Sequence, residues 1–340
     1  MQEYGDLIVV LAAAVAAFVL SMLTAPLVIR LMARIKVGQP ILKYLEGHTK
    51  KSGTPTMGGW IFILPTAVVS LLFGYGRLSL IAVLVTVGYG IVGFSDDFIK
   101  VRYKRNEGLK PYQKIIAQLG IALIAAFFAY YNEWIGDSVR IPFFTVEWNM
   151  GLWYIPFAVF LFLAVTNSVN LTDGLDGLAA SSGVASVFAL LVAGILYYFE
   201  AAAFGMTGLQ NELFSLCIFL SALAASLLGF LWHNANPARI FMGDTGALAL
   251  GGAIAAGAIF MRNPLLLAFV CIVHVWSSLS VILQVIYFKL TKKRIFKMSP
   301  FHHHLELSGY SENRISVIYA VLTVVTGAVG TIGVILSLTM

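Results

Sequence analysis

Apolar residues along this chain run in long unbroken stretches separated by short polar ones. Ten windows of about 20 residues read as membrane-crossing helices: residues 7–30, 57–74, 78–95, 114–131, 151–169, 177–199, 212–231, 245–261, 265–290 and 315–338. None alternates with a period of two, which excludes the strands of a membrane β-barrel. Gly and Pro recur within the windows, as packed helices in lipid tolerate. The expected fold is an all-α polytopic integral membrane protein of about ten transmembrane helices, with residues 1–340 forming a single transmembrane catalytic domain.

Composition agrees. Of 340 residues, 59% are hydrophobic and only 11% charged, against roughly 25% charged in a soluble domain. This excludes an ordinary cytosolic enzyme, a disordered chain and a secreted disulfide scaffold. Cys217 and Cys271 lie in apolar runs and read as small buried hydrophobes, not a disulfide or a zinc pair. The leader MQEYGD carries Glu3 and Asp6 and no Lys or Arg, so the first span does not read as a cleavable signal. One set of loops and span ends holds 19 of the 22 Lys and Arg, and the other has only Arg77, Arg140 and Arg262. By the positive-inside rule the first set is cytoplasmic and both termini lie outside. The longest outside loop, 132–150, reads as a short hairpin or an interfacial helix without chemistry, and its apolar surface leaves room for a homodimer.

The unusual polar sequence falls in the cytoplasmic set, abutting span ends: GHTKKSGTPTMGG (47–59), SDDFIKVRYKRNEG (95–108), TNSVNLTDGLDG (166–177), HNANPARIFMGDTG (233–246) and KMSPFHHHLE (297–306). Carboxylates at a membrane edge are costly and usually functional. Asp96 and Asp97 point about 100° apart on a helix, so they serve different purposes. Lys100, at i+4 and i+3 from them, can neutralise one. Asn170, Asp173 and Asp176 are spaced by three, and Gly174 and Gly177 mark a break in the backbone. Acids that repel one another without a basic partner call for a cation, and hard oxygen donors imply Mg²⁺ or Mn²⁺. Asp244, between glycines at the start of a span, suits a Mg²⁺ ligand beside a diphosphate. Plainer readings exist for each: a helix-end ion pair for Asp96–Asp97, capping for Asp173, Asp176 and Asp244. His302, His303 and His304 suit phosphate contact or the positioning of a loop, or form a solvated run. His274, alone in an apolar span, reads as a hydrogen-bonded core residue rather than a ligand. Lys51 either answers anionic lipid or grips a nucleotide phosphate.

Acids, a divalent ion and basic residues on one face are the components of phosphoryl transfer. The membrane setting makes one reactant a lipid, and a nucleotide-linked donor arrives from the cytoplasm. The alternative from another class is a cation-coupled transporter, but such proteins place ionisable groups near the bilayer midplane and show paired halves. No nucleic-acid partner is expected.

The motifs SGTPTMGG, GFSDDFIK, NLTDGLDGLA, PARIFMGDTGALALGG and PFHHHLE, in that order over the whole chain, resemble the MraY family of phospho-N-acetylmuramoyl-pentapeptide transferases. These belong to the polyprenyl-phosphate N-acetylhexosamine-1-phosphate transferase superfamily. The resemblance implies transfer of phospho-MurNAc-pentapeptide from UDP-MurNAc-pentapeptide to undecaprenyl phosphate, giving lipid I and UMP, with Mg²⁺, in the bacterial plasma membrane. A sister enzyme using UDP-GlcNAc or another UDP-sugar is the nearest alternative. Carried over by motif, Asp244 is the Mg²⁺ ligand. Asp96 and Asp97 are the acidic pair near the lipid phosphate, with Asp96 the preferred base, and Asp173 is the third catalytic acid. Lys51, Asp176, Asn234 and Phe241 surround the uridine end, and Asn170 helps hold metal and phosphate. His302, His303 and His304 lie on the diphosphate or sugar side, with His303 counted as catalytic, and Lys114 is a further phosphate contact.

Overall fold

The computed structural model describes residues 2–35, 53–103 and 107–339. It is all-helical apart from one two-stranded hairpin. The elements are α1 (Gln2–Ile35), α2 (Trp60–Phe73), α3 (Arg77–Arg102), α4 (Pro111–Tyr131), β1 (Ser138–Arg140), β2 (Glu147–Asn149), α5 (Tyr154–Thr172), α6 (Leu178–Ala203), α7 (Thr207–Asn234), α8 (Gly243–Phe260), α9 (Leu267–Val270), α10 (Ile272–Thr291), α11 (Phe301–Glu306) and α12 (Glu312–Thr339). Among the described residues, nine helices are long and apolar enough to cross a membrane. The remaining expected span, 57–74, is the 14-residue α2. At 1.5 Å per residue it reaches about 21 Å, short of a hydrocarbon core of about 30 Å.

Residues 53–59, directly before α2, are not helical, yet residues 55–59 are buried. Backbone at that depth must find partners inside the protein. It finds them in the segment leading into α8: Phe241 N–H donates to Pro55 O (2.8 Å), and Gly58 and Gly59 N–H donate to Phe241 O (2.9 Å) and Met242 O (3.2 Å).

Helix α8 lies at the centre, with every residue from Thr245 to Phe260 buried. Its sequence GDTGALALGGAIAAGAIF consists mostly of Gly and Ala, which lets neighbouring backbones approach closely without a hydrophobic force between helices in lipid. α3 and α5 pack on it, α7 lies beside them, and α1, α4, α6, α10 and α12 lie outside. The closest approach decides the site. A Cβ on Gly93 would collide with the backbone carbonyl of Asp244, and one on Gly251 would lie 2.5 Å from Thr166 Cα. Gly93→Ala is therefore expected to push the end of α3 off the start of α8. Overpacking of this kind costs about 1–3 kcal/mol. The melting temperature in detergent should fall, and an unchanged one would show that the helices can separate freely.

At the far end of the bundle the hairpin pairs Val139 with Trp148. Arg140 meets Glu200 (2.6 Å) and Arg262 meets Glu147 (2.5 Å), tying the hairpin to α6 and to the end of α8. Of the two forms expected for 132–150, the hairpin is the one observed. Cys217 and Cys271 are free and buried.

Candidate active site

Four helix ends meet where α8 begins. The last two turns of α3 carry Asp96, Asp97 and Lys100, the first turn of α4 carries Lys114, the end of α5 carries Asn170, and α8 opens with Gly243, Asp244 and Thr245. Gly243 has φ +70°, and a side chain there would lie 2.5 Å from Asp97 Oδ2 and 2.7 Å from Thr56 Oγ1. Only glycine fits this left-handed, crowded position. It turns the chain so that its own N–H faces the Asp173 carboxylate while Asp244 enters the cluster.

Asp96, Asp97 and Asp244 each offer an oxygen within 4.8 Å of the others. Asp244 Oδ2 accepts from Lys114 Nζ (2.8 Å) and Lys100 Nζ (3.0 Å), and its Oδ1 accepts from Asn170 Nδ2 (2.8 Å). Lys100 Nζ also lies 2.5 Å from Asp96 Oδ2, the i,i+4 pair expected from sequence. Leu109 N–H donates to Asp96 Oδ1 (2.9 Å), so Gly108 and Leu109, just before α4, lie against that carboxylate. Asp97 Oδ2 takes both the N–H (2.9 Å) and the hydroxyl (2.8 Å) of Thr245. Asp97 thus caps α8 from another helix, where the dipole favours a negative charge. The two adjacent acids have separate surroundings, as their 100° offset requires.

Three carboxylates against two ammonium groups leave a net negative charge in a mostly buried cluster. The all-oxygen set from Asp96, Asp97 and Asp244, with the Asn170 amide beside it, fits a hard divalent cation such as Mg²⁺. Lys100 and Lys114 meet the Asp244 oxygen that such an ion would share.

The Asn170–Asp173–Asp176 run does not converge on one point. α5 stops at Thr172, residues 173–177 form a turn, and Gly177 at φ +73° starts α6. Asp176 turns away from the cluster and accepts from Asn236 Nδ2 (3.0 Å) and Ala238 N–H (3.1 Å). Asn234 brackets the same region: its Oδ1 accepts from Gly177 N–H (3.1 Å) and its Nδ2 donates to Ile240 O (2.9 Å). Phe241, half-buried, follows directly. Lys51 lies outside the described residues.

Burial, then the charges of Asp244 and Asp97, push the Asp173 carboxyl up to about 8. In the metal-free protein it keeps its proton between about pH 4 and pH 8, where an unfolded aspartate has lost its own. Stability therefore falls as pH rises through that window. Asp173→Asn is expected to flatten the fall of melting temperature with pH, and equal slopes in variant and wild type would show that the proton resides elsewhere.

The three histidines diverge. His302 is fully buried, and its ring lies against the position a Cβ of Gly174 would take. Both its ring nitrogens lack a hydrogen-bond partner among the described residues. Burial, with His303 adding to it, lowers its pKa to about 3, so the ring is neutral at pH 7. His303 lies beside it, its ring tilted by 59° with centroids 4.4 Å apart, and meets Glu306 Oε2 at 3.0 Å. His304 Nδ1 accepts from Lys297 N–H (3.1 Å). His274 is buried in the core as expected, but neither of its ring nitrogens has a hydrogen-bond partner among the described residues, contrary to the expected hydrogen bond.

Sequence reasoning did not assign Thr245, Asn236 or Glu312, whose Oε2 accepts from Asp176 N–H at 3.2 Å. Thr245 sits within the GDTG motif and was open to notice there. Glu312 lies 136 residues from its partner, and nothing local to it signals the contact.

A bundle of membrane-length helices with carboxylates, lysines and an amide gathered at one end defines a multi-pass membrane protein whose acidic cluster could hold a metal ion. Residues 79–262 match the model of glycosyl transferase family 4, and residues 51–63 match signature 1 of the phospho-N-acetylmuramoyl-pentapeptide-transferases. The phospho-N-acetylmuramoyl-pentapeptide-transferase of Clostridium novyi (strain NT) is 46% identical over 317 residues, covering 92% of this chain and 93% of the relative. That of Thermoanaerobacter sp. (strain X514) is 45% identical over 318 residues, covering 93% and 96%. That of Clostridium perfringens (strain 13 / Type A) is 46% identical over 319 residues, covering 92% and 95%. The chain belongs to the phospho-N-acetylmuramoyl-pentapeptide-transferase family.

Proposed function

We propose that this chain transfers phospho-MurNAc-pentapeptide from UDP-MurNAc-pentapeptide to undecaprenyl phosphate at the inner face of the bacterial plasma membrane, yielding lipid I and UMP. The observation that carries the reading is the meeting of Asp96, Asp97 and Asp244 within 4.8 Å, flanked by Lys100 and Lys114, at the end of the bundle rich in basic residues. That charge bias sets this end in the cytoplasm, where a nucleotide-linked donor is available.

The reaction is a displacement at phosphorus. An oxygen of the lipid phosphate attacks the β-phosphorus of the donor, the bond from that phosphorus to the bridging oxygen breaks, and UMP leaves. Asp96 accepts the proton of a monoanionic lipid phosphate. Asp97, fixed by both donors of Thr245, holds α8 in register with α3 and so sets where Asp244 stands. Asp244, with Asp96 and Asp97 near, would hold a Mg²⁺, which would supply charge neutralisation to the diphosphate oxygens. Lys100 and Lys114 turn from Asp244 to phosphate as the donor arrives. Asp173 and Asn170 line the same end, and Phe241 and Lys51 meet the uridine. Direct attack needs no second covalent step, because a lipid phosphate is already a competent nucleophile at neutral pH.

Purified protein incubated with undecaprenyl phosphate, Mg²⁺ and radiolabelled UDP-MurNAc-pentapeptide is expected to release UMP and form a butanol-extractable labelled lipid in equal amounts. UDP-GlcNAc in its place should give neither. Lipid label with UDP-GlcNAc alone would reassign the donor, and a phosphosugar adduct trapped on Asp96 or Asp97 would replace direct attack with a two-step route.

A further inference from the structure

A groove of about 890 Å³ opens between the end of α10 and the chain returning from it. None of Asp96, Asp97, Asp173 or Asp244 lines it. One wall is apolar, with Val285 and Phe288 from α10. The rest carries Lys289, Lys292, Arg294 and Lys297. No carboxylate lines it, and none of these four cations has a salt bridge among the described residues.

The groove has a fixed shape. α10 ends with Lys292 in the left-handed conformation, and the chain doubles back along the helix it has left. The buried Gln284, two turns earlier, holds it there. Its Oε1 accepts from Ile295 N–H (3.1 Å) and Phe296 N–H (3.0 Å), and its Nε2 donates to Phe296 O (3.2 Å). On the return limb Arg294 Nη1 donates to Lys297 O (3.4 Å) and Lys297 Nζ to Leu307 O (3.0 Å), which orients both cations without neutralising them.

Its depth in the membrane follows from α10. Ile282, Leu283, Val285, Ile286, Phe288 and Leu290 are all exposed, so the last turns are apolar around most of their circumference and stand clear of the bundle, as lipid-immersed surface does. The lysines begin where that surface ends, at the level of phospholipid headgroups.

We propose that this groove binds an anionic glycerophospholipid, its phosphate among Lys289, Lys292, Arg294 and Lys297 and one acyl chain along Val285 and Phe288. Charge complementarity selects an anion, and the apolar wall selects one carrying a hydrocarbon chain. The occupant differs from the lipid that reacts, whose phosphate must reach carboxylates that the groove lacks. Since His303 closes the inner end of the groove, the bound lipid steadies the α10–α11 connection that carries the histidine run.

The full-length protein in neutral detergent, titrated with phosphatidylglycerol or with phosphatidylcholine of the same acyl chains, gives the test by native mass spectrometry. Each basic residue near a headgroup is worth about a fivefold change in binding. The wild type is expected to retain phosphatidylglycerol at least about tenfold better than phosphatidylcholine. Lys289→Gln/Lys292→Gln should lose most of that preference, and Lys289→Arg/Lys292→Arg should keep it. Melting temperatures of both variants verify that each is folded, and the arginine pair against wild type alone decides the matter if the glutamine pair is not. Equal retention of the two lipids by the wild type would overturn the proposal. So would an unchanged preference in the glutamine pair, or a lost one in the arginine pair. Stoichiometric displacement of phosphatidylglycerol by undecaprenyl phosphate or by UDP-MurNAc-pentapeptide would also overturn it, by assigning the groove to a substrate.

Discussion

Asp244→Asn is expected to reduce UMP release by about a hundredfold to a thousandfold, the range for loss of one strong electrostatic contact to a transition state, and to raise the Mg²⁺ concentration needed for what remains. The side chain is the hub of the cluster: both lysines reach its Oδ2, and the Asn170 amide reaches its Oδ1. Asparagine keeps the size and can keep the Oδ1 contact, but it removes the charge on which a divalent ion depends. The variant should therefore fold, with its melting temperature close to that of the wild type in the absence of metal. Turnover measured across a Mg²⁺ titration decides the outcome. Full activity at ordinary Mg²⁺ would leave the cluster with a purely structural role.

Asp96→Asn is expected to cost about 10²–10⁴ in rate near neutral pH, the usual contribution of a positioned base. The size of the loss should depend on pH. A phosphate monoester loses its second proton near pH 6, so above that pH less of the lipid phosphate needs a base at all. The deficit is expected to shrink as the assay moves from about pH 6 to pH 9. A deficit constant across that range would mean that Asp96, with Lys100 against its Oδ2, only holds charge in place. Thr245→Val serves as a comparison. It removes the hydroxyl from Asp97 but leaves the Thr245 N–H bond, so a smaller loss is expected, about tenfold to a hundredfold for one hydrogen bond to a charged group. That loss should not vary with pH.

Much of the scaffold was legible because lipid imposes simple rules. Apolar windows of about 20 residues locate α1, α3–α8, α10 and α12, with ends displaced by at most seven residues. At 57–74 the window starts three residues before α2, because the buried residues 57–59 are not helical and Gly58 and Gly59 satisfy their backbone against residues 241–242. Hydropathy cannot distinguish the two solutions. In the site, the acidic pair and Lys100 were legible because they interact within one helix turn. Gly-Asp-Thr-Gly announced a special turn, though not that Thr245 would fasten Asp97. The reach of Lys114 to Asp244 spans 130 residues, and it depends on how closely α3, α4 and α8 pack, which the glycines permit without specifying. Spacing fixes direction only while a helix continues, and the backbone breaks at Asp173 and again at Pro300.

The backbone bonds joining residues 55–59 to 241–242 make one rigid unit of two stretches far apart in the chain, and Phe241 sits only three positions before Asp244. If Phe241 meets the nucleobase as proposed, a donor bearing the wrong base shifts the acid that holds the metal as well as losing its own stacking. Discrimination among nucleotide donors then emerges in the speed of the chemical step more than in the tightness of docking, and a mismatched donor occupies the enzyme without being consumed.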